Sequence, residues 1–379
     1  MFLSSSLSVH LIEEDRVKLT RILIGSTAAC AIVLTLSACG GGGSSSSSAN
    51  ADCASGSIKA AGSSAQGNAI TDWINAYQTQ CPDATIDYQA IGSGAGVEQF
   101  VAKQTSFAGT DSGVKDADLE KANERCSGGP AINIPMVGGA IAVVYNLADV
   151  DGLILTSDVL AKIFASTITK WNDPAIAGLN AGKSLPDATI AQFHRSDSSG
   201  TTDNFTKYLT ATSPSVWTFA PGKDWTAPGG QGAKGSDQVI ASVDGTVNSI
   251  GYVELSYLDG MQNTKAALID NGGGPVEATS ATAATTIAAA TVTGSGNDLL
   301  LKVDYTTKAS GAYPIVLVTY EVACQKGLST DQNPALVKSF LTFAASDAGQ
   351  SQLTTSGYVP ITGSLLAKVR TAVSSLATS

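Results

Sequence analysis

Short apolar runs at residues 58–61 and 86–91 have the length of buried strands. Between them Ala69, Ile70, Trp73, Ile74 and Tyr77 recur at helical spacing, so residues 68–80 read as a helix. Strand, helix and strand in that order form the unit of a parallel α/β sheet. The pattern continues down the chain. Residues 140–145 read as a buried strand, 153–164 as a helix with Leu155, Val159, Leu160 and Ile163 on its apolar positions, and 189–193 and 249–253 as further strands. An Ala-rich helix is expected over 283–290, a strand over 313–318, and helices over 335–344 and 363–376. Asn172-Asp173-Pro174 and Leu185-Pro186-Asp187 mark turns. No solenoid-type repeat is visible.

Three strand-to-helix junctions share one composition. Gly62-Ser63-Ser64 leads into the helix at 68–80, Gly92-Ser93-Gly94 into a helix at 96–103, and Arg195-Ser196-Asp197-Ser198-Ser199-Gly200-Thr201 into a helix at 202–209. A helix start leaves its first amides without intrahelical partners and carries roughly half a positive charge from the aligned peptide dipoles. An oxyanion placed there meets donors that already point at it. Glycine lets backbone approach closely, and Ser or Thr adds a rotatable donor. One such junction is ordinary helix capping, worth about 1 kcal/mol. Three in one chain, one of them carrying Arg195, read as a receptacle for an anion.

Residues 1–38 read as a secretory signal. Lys18 and Arg21 precede an apolar stretch that ends in Leu36-Ser37-Ala38-Cys39, a small-residue cleavage site directly before a cysteine. It resembles the bacterial lipobox, which makes Cys39 the expected lipidated N-terminus. The Gly/Ser run at 40–48 within residues 39–54 is then a flexible leash. Glu13, Glu14 and Asp15 are unusual in a positively charged signal start, which places the expected translation start near Val17. The apolar stretch is short for a membrane span.

Residues 39–379 exceed one ordinary core and suit two domains. Charged residues are 14% of the chain and the formal net charge is −10, a balance that argues against a nucleic-acid partner. It does not argue against a small anion, because a buried site answers to its local donors. Outside the leader and Cys39 the cysteines are Cys53, Cys81, Cys126 and Cys324. An even number in an exported domain suggests two disulfides with three possible connectivities. The pairing expected here is Cys53 with Cys81 and Cys126 with Cys324. No C-x-x-C pair is present and His194 is the one histidine beyond the leader, so no metal site is expected.

Catalytic signatures fail one by one. A Ser-His-Asp hydrolase needs a histidine beside a nucleophile on a strained turn; there is no G-x-S-x-G, and His194 alone is available. Gly230-Gln231-Gly232-Ala233-Lys234-Gly235 matches a dinucleotide pattern by letter but follows Pro228-Gly229, so it reads as a loop. Gly182-Lys183-Ser184 lacks the first glycine of a nucleotide-triphosphate loop, because Ala177 stands there. No enzyme and no cofactor are expected.

Asp111, in Gly109-Thr110-Asp111-Ser112, suits a turn or cap, and Arg195 suits a surface pair with Asp197. Beside a Ser/Gly loop at a strand end, however, a planar five-donor cation is well matched to a tetrahedral oxyanion. Together, Gly62-Ser63-Ser64, Gly92-Ser93-Gly94-Ala95-Gly96, Gly109-Thr110-Asp111, Arg195-Ser196-Asp197-Ser198-Ser199-Gly200-Thr201 and Ile250-Gly251-Tyr252-Val253-Glu254 resemble the phosphate-binding subunit of high-affinity bacterial phosphate ABC transporters. The resemblance runs from about residue 57 to the last helix.

The resemblance implies an α/β, two-lobed periplasmic-binding-protein (type II) fold, each lobe a mixed sheet flanked by helices, with ligand in the cleft. Lobe 1 is expected at 55–138 plus 313–379 and lobe 2 at 139–312. Ser64 is expected to donate hydroxyl and amide, Ala65 its amide and Ser93 its hydroxyl. Asp111 would accept, Arg195 would clamp two oxygens, and Ser199, Gly200 and Thr201 would donate from the third helix start. Asp197 would hold Arg195 in orientation. The chain departs from the family after Ser64, where Ala65-Gln66-Gly67 replaces the common Phe-Pro.

The implied function is extracytoplasmic binding of inorganic phosphate by a lipid-anchored monomer on the outer face of the cell membrane, and delivery to the transporter's permease. A binder of another oxyanion, or a phosphate sensor or adhesin on the same fold, is the alternative. Asp111 gives a physical basis for selectivity. Phosphate near neutral pH still has a proton to give to a carboxylate, whereas sulfate has none and would face a buried, unpaired charge.

Overall fold

The computed structural model describes residues 53–379. The expected signal peptide, Cys39 and most of the leash lie outside the described residues. Among the described residues, no helix is long and apolar enough to cross a membrane.

A mixed sheet of ten strands organises the described chain. Its path is β2 (Ala84–Gln89), β1 (Gly56–Gly62), β3 (Phe107–Thr110), β14 (Val316–Cys324), β4 (Ala131–Asn146), β8 (Ser249–Glu254), β6 (Ala191–Arg195) and β7 (Gln231–Ala233). The short strands β9 (Lys265–Ala266) and β15 (Val359–Pro360) also pair with β4. β1 pairs in parallel with β2 and with β3, whereas β14 is antiparallel to both β3 and β4.

β4 is the spine. Residues 131–140 pair with β14 and residues 141–146 pair with β8, so one strand serves two sheet halves in succession. All sixteen of its residues are buried, which is why the sequence shows a continuous apolar run there and not an alternating one. The fold is the two-lobed α/β arrangement that the resemblance implied.

Helices α1 (Gly67–Gln80), α2 (Ser93–Val101) and α3 (Asp116–Arg125) accompany β1 to β3. α1 buries Ala69, Ile70, Trp73 and Tyr77, the periodic positions of the sequence. Beyond β4 come β5 (Ile154–Thr156), α4 (Ser157–Phe164), α5 (Pro174–Leu179), α6 (Gly200–Thr212) and α7 (Gly235–Asp244). β10 (Leu268–Asp270) and β11 (Pro275–Val276) join β5 in a three-stranded sheet. α8 (Ser280–Ala288) packs on β4, β14 and β15, and β12 (Thr291–Val292) pairs with β13 (Leu301–Lys302). α9 (Pro334–Ala344), α10 (Asp347–Gln352) and α11 (Gly363–Ser374) close the chain. Asn333 opens α9, with its side chain accepting from Leu336 N and proline at the first position.

Both expected disulfides form. Cys53 joins Cys81 across 28 residues, and Cys126, at the end of α3, joins Cys324, at the end of β14, across 198.

Several elements differ from the sequence reading. Residues 153–164 are not one helix: Ile154–Thr156 pair in parallel with β10, and Thr156 then caps α4 by accepting from Val159 N. The pairing partner lies over a hundred residues away, so no local pattern announced it. α3 buries only Ala122 and Arg125 and is otherwise polar, which leaves no apolar stripe to read. Residues 230–235 are not a plain loop. Gln231–Ala233 form β7 beside β6, and α7 starts at Gly235 with Val239, Ile240 and Val243 buried.

Candidate functional site

The three Gly/Ser junctions converge on Asp111, which follows β3 and is 3% exposed. Its Oδ1 accepts from Ser63 Oγ at 2.5 Å and from Thr319 Oγ1 at 2.7 Å. Among the described residues, its Oδ2 accepts one long bond, from Ser93 Oγ at 3.3 Å, and the backbone amide of Asp111 donates to the same hydroxyl at 3.2 Å. Burial pushes the Asp111 carboxyl above its ordinary pKa, against the opposing pull of Ser63, Thr319, the charge of Arg195 and Ser93. One oxygen is thus held by two short hydroxyl bonds and the other is loosely held, so Oδ2 is the better placed to take a ligand's proton.

Arg195 ends β6 and is 2% exposed. Its Nε donates to Asp197 Oδ1 at 2.7 Å, and a terminal nitrogen donates to Asp197 Oδ2 at 2.5 Å, a bidentate pair that fixes the guanidinium plane. Gly235 N also donates to Asp197 Oδ1, at 2.9 Å. Burial pushes Asp197 up, but the hydrogen bonds and charge of Arg195 with the Gly235 amide outweigh it and hold the carboxyl below its usual value. The other terminal nitrogen of Arg195 reaches Ser236 Oγ at 3.5 Å. The backbone N of Arg195 donates to the Tyr252 hydroxyl at 3.2 Å, which is also bonded to Thr202 Oγ1 at 2.7 Å. Strand end and helix start are therefore tied to one tyrosine.

Ser64 lies across the cleft from α7. Its Oγ is 3.0 Å from Ser236 Oγ and accepts from Ser236 N at 3.1 Å. Its carbonyl accepts from Tyr257 at 2.5 Å, and the Ala65 carbonyl accepts from Tyr358 at 2.6 Å, which holds the turn from two directions. The Ala65 amide donates to Ser63 Oγ at 3.0 Å. Ser199 caps α6 by accepting from Thr202 N at 3.2 Å, and its own amide donates to the Lys223 carbonyl at 2.9 Å. Thr201 Oγ1 is buried and has no hydrogen-bond partner among the described residues. At the start of a helix that already faces Asp111, a buried unpaired hydroxyl marks a place where a ligand oxygen would satisfy the protein.

The seam is tight. Gly94 N donates to the Ser198 carbonyl at 2.9 Å, and Asn204 Nδ2 donates to the Asp111 carbonyl at 2.8 Å. Gly92, at φ +100°, sits where any side chain would collide with Asp197. The sequence reading named Ser64, Ala65, Ser93, Asp111, Arg195, Asp197, Ser199, Gly200 and Thr201, and the structure brings all of them to this seam.

It also adds residues that reading missed: Ser63, Thr319, Ser236, Asn204, Tyr252 and Tyr257. Ser63 was masked by its neighbour Ser64, and Tyr252 stood unassigned in a quoted motif. Ser236 had a readable signal, a glycine followed by Val239, Ile240 and Val243 at helical spacing. Thr319 carries no local mark. His194 stays out of the site: its ring stacks on Trp225 at 4.8 Å and its Nδ1 lies 2.9 Å from the Arg195 carbonyl. Among the described residues no group of three or more His, Cys, Asp or Glu could hold a metal ion.

A model of the PBP superfamily domain matches residues 47–348. The chain is similar to Phosphate-binding protein PstS 3 of Mycobacterium tuberculosis (strain ATCC 25618 / H37Rv), 43% identical over 366 residues that cover 93% of this chain and 98% of the relative. It is also similar to Phosphate-binding protein PstS 2 of the same strain, 40% identical with 84% and 87% covered. Among solved structures, a high-affinity periplasmic phosphate-binding protein (PfluDING) bound with phosphate superposes with a TM-score of 0.67 at 21% identity, covering 83% of this chain and 93% of that one. By the extent of these matches, the chain belongs to the PBP superfamily and, within it, to the phosphate-binding substrate-binding proteins.

Proposed function

We propose that this chain binds inorganic phosphate in the cleft between its lobes and hands it, chemically unchanged, to an ABC-type phosphate permease. The observation that carries the reading is the pairing of donors and one acceptor in a buried seam. Arg195 and the start of α6 supply charge and donors, and Asp111 offers Oδ2 as an acceptor. Phosphate is the tetrahedral anion that brings both many acceptor oxygens and a proton. Ser64, Ala65, Ser93, Asp111, Arg195, Ser199, Gly200 and Thr201 form the proposed contact set, and Asp197 orients Arg195. The names of the relatives support the ligand.

The lobes are proposed as 55–138 with 313–379 and as 139–312. The change of partner along β4 from β14 to β8 supports a hinge near its middle. Phosphate contacting both sides would hold the lobes closed. The chain is read as a monomeric receptor and not as an enzyme: the His194 ring stacks on Trp225 and its Nδ1 lies against the Arg195 carbonyl, which supports a packing role for it. Lipidation at Cys39 would keep the receptor at the outer face of the membrane, beside its permease.

Thermal unfolding of ligand-stripped protein tests this reading. A ligand that binds only the folded state stabilises it by about 4 kcal/mol at a thousand times its dissociation constant. Phosphate should raise the melting temperature and sulfate at the same concentration should not. An equal rise with both anions, or none with phosphate, overturns the reading.

A further inference from the structure

An acidic side chain stands in the first turn of the helix whose start is proposed to hold the anion. It is Asp203 of α6, 7% exposed. A carboxylate there competes with an anionic ligand for the positive end of the helix. Its oxygens are instead engaged across the seam. Ser112 Oγ, on the residue after Asp111, donates to Asp203 Oδ2, and Lys207, one turn further along α6, donates to the same oxygen at 2.5 Å. Ser112 belongs to the proposed lobe that begins at 55–138 and Asp203 to the one at 139–312. The turn that carries Ser112 is fixed in its own right: the Ser112 amide donates to Thr110 Oγ1 at 3.2 Å, and Thr110 Oγ1 donates to the Ser112 carbonyl at 2.8 Å.

Neighbouring bonds across the seam, from Gly94 N to the Ser198 carbonyl and from Asn204 Nδ2 to the Asp111 carbonyl, join neutral groups. The bond from Ser112 ends on a charge, the stronger class of hydrogen bond. Two consecutive residues of α6, Asp203 and Asn204, thus hold two consecutive residues of the acceptor turn, Ser112 and Asp111. Asn204 is steadied by the Tyr305 hydroxyl, which donates to its Oδ1. Cavities of 830 Å³ and 320 Å³ flank the pair; Ser112, Lys115 and Lys207 line both, Asp203 lines the larger, and Asp111 lines the smaller. The bond between Ser112 and Asp203 therefore stands between the space beside Asp111 and the larger space.

We propose that Ser112 and Asp203 form a clasp that holds the cleft shut once phosphate has entered, with Lys207 keeping the carboxylate turned to Ser112 and away from the ligand. Neither residue belongs to the proposed contact set, so both are positioning residues. Closing the clasp brings the start of α6 against Asp111. The clasp exists only while the lobes meet, so it slows release and leaves capture alone. This inference rests on the phosphate reading and on the two proposed lobes.

The test is stopped-flow measurement of phosphate association and dissociation in wild type, Ser112→Ala, Asp203→Ala and the double variant. Ser112→Ala should speed dissociation about tenfold or more, the loss of one hydrogen bond to a charged group, and leave the association rate unchanged. In the Asp203→Ala background the same change should have little effect, and this comparison cancels any direct pull of the Asp203 charge on the ligand. An acceleration that persists undiminished in that background, or wild-type dissociation in Ser112→Ala, overturns the proposal.

Should Asp203→Ala fail to fold, Ser112→Thr decides the matter. It keeps the hydroxyl and should release phosphate at close to the wild-type rate. Equal dissociation rates in the Ala and Thr variants at residue 112 overturn the proposal. Wild type that binds no phosphate overturns the ligand reading itself, a result that none of these variants can mimic.

Discussion

Gly200 and Asp111 stand in contact across the cleft: a Cβ added at Gly200 would lie 2.6 Å from the Cβ of Asp111 and 2.6 Å from Ser93 Oγ. The start of α6 can close on the acceptor only because residue 200 has no side chain. Gly200→Ala should therefore hold the lobes apart. Overpacking of this kind costs about 1–3 kcal/mol, so phosphate affinity should fall roughly 5- to 150-fold. Titration calorimetry reads this directly, and an unchanged affinity would remove the closed seam from the account.

Asp197 acts through Arg195. Its two oxygens hold Nε and one terminal nitrogen of the guanidinium, at 2.7 and 2.5 Å. Asp197→Asn keeps the shape but loses the charge and one acceptor, leaving Arg195 buried without its fixed orientation. Phosphate binding should weaken about tenfold or more, as for one charged hydrogen bond of about 1.5–3 kcal/mol. Stopped-flow measurement should place most of the change in the dissociation rate. Wild-type kinetics in the variant would show that Arg195 is held by its other neighbours.

Much of this site was legible because its signals are local. A glycine-serine turn between a strand pattern and a helix pattern carries its meaning within ten residues, which is why Ser64, Ser93 and Ser199 to Thr201 could be named. Thr319 could not. It reaches Asp111 from 208 positions away because β14 runs antiparallel to β3, and nothing in Val318-Thr319-Tyr320 marks a ligand shell. The same limit hid β5, whose partner β10 is distant, and the orientation of Gln66, which depends on Tyr88 and on space left at Gly109. The disulfides were legible from number and compartment. Their pairing became certain only when α1 and α3 placed the sulfurs.

Stability should fall as the solution becomes alkaline. Burial pushes Glu254 and Glu321 each up to about 8, against the bonds from Ser256 and Gln66. An acid whose folded value is raised binds more protons folded than unfolded, so stability decreases from about pH 4.5, the unfolded value, up to about pH 8. His194 opposes this at the acid end. Burial lowers its pKa, so its contribution is present above about pH 6.5 and is lost below. The melting temperature should therefore be lower at pH 8 than at pH 6.5. A flat or rising profile between those values would mean that both carboxyls find compensation on ionising.

Reduction of the long disulfide should destabilise the fold. Cys126–Cys324 closes a loop of 198 residues and ties α3 to β14. Chain-entropy estimates for such a loop give up to about 5 kcal/mol, and about 3–4 kcal/mol for the shorter Cys53–Cys81 loop. Replacing both Cys126 and Cys324 by serine should lower the denaturant midpoint more than the same change at Cys53 and Cys81. Equal shifts would assign the stabilisation to local packing, such as the Arg125 contact with Cys324 Sγ at 2.9 Å, and not to loop length.

The central claim is that Asp111 makes this cleft a phosphate site and not a general oxyanion site. Titration calorimetry of ligand-stripped wild type and Asp111→Asn against phosphate and sulfate at neutral pH tests it most directly. Wild type should bind phosphate one to one with negligible heat from sulfate. The variant should lose roughly 150- to 4000-fold of the phosphate preference, the consequence of removing about 3–5 kcal/mol of discrimination by a buried charge. Sulfate binding as tight as phosphate in wild type, or an unchanged preference in Asp111→Asn, would contradict the account.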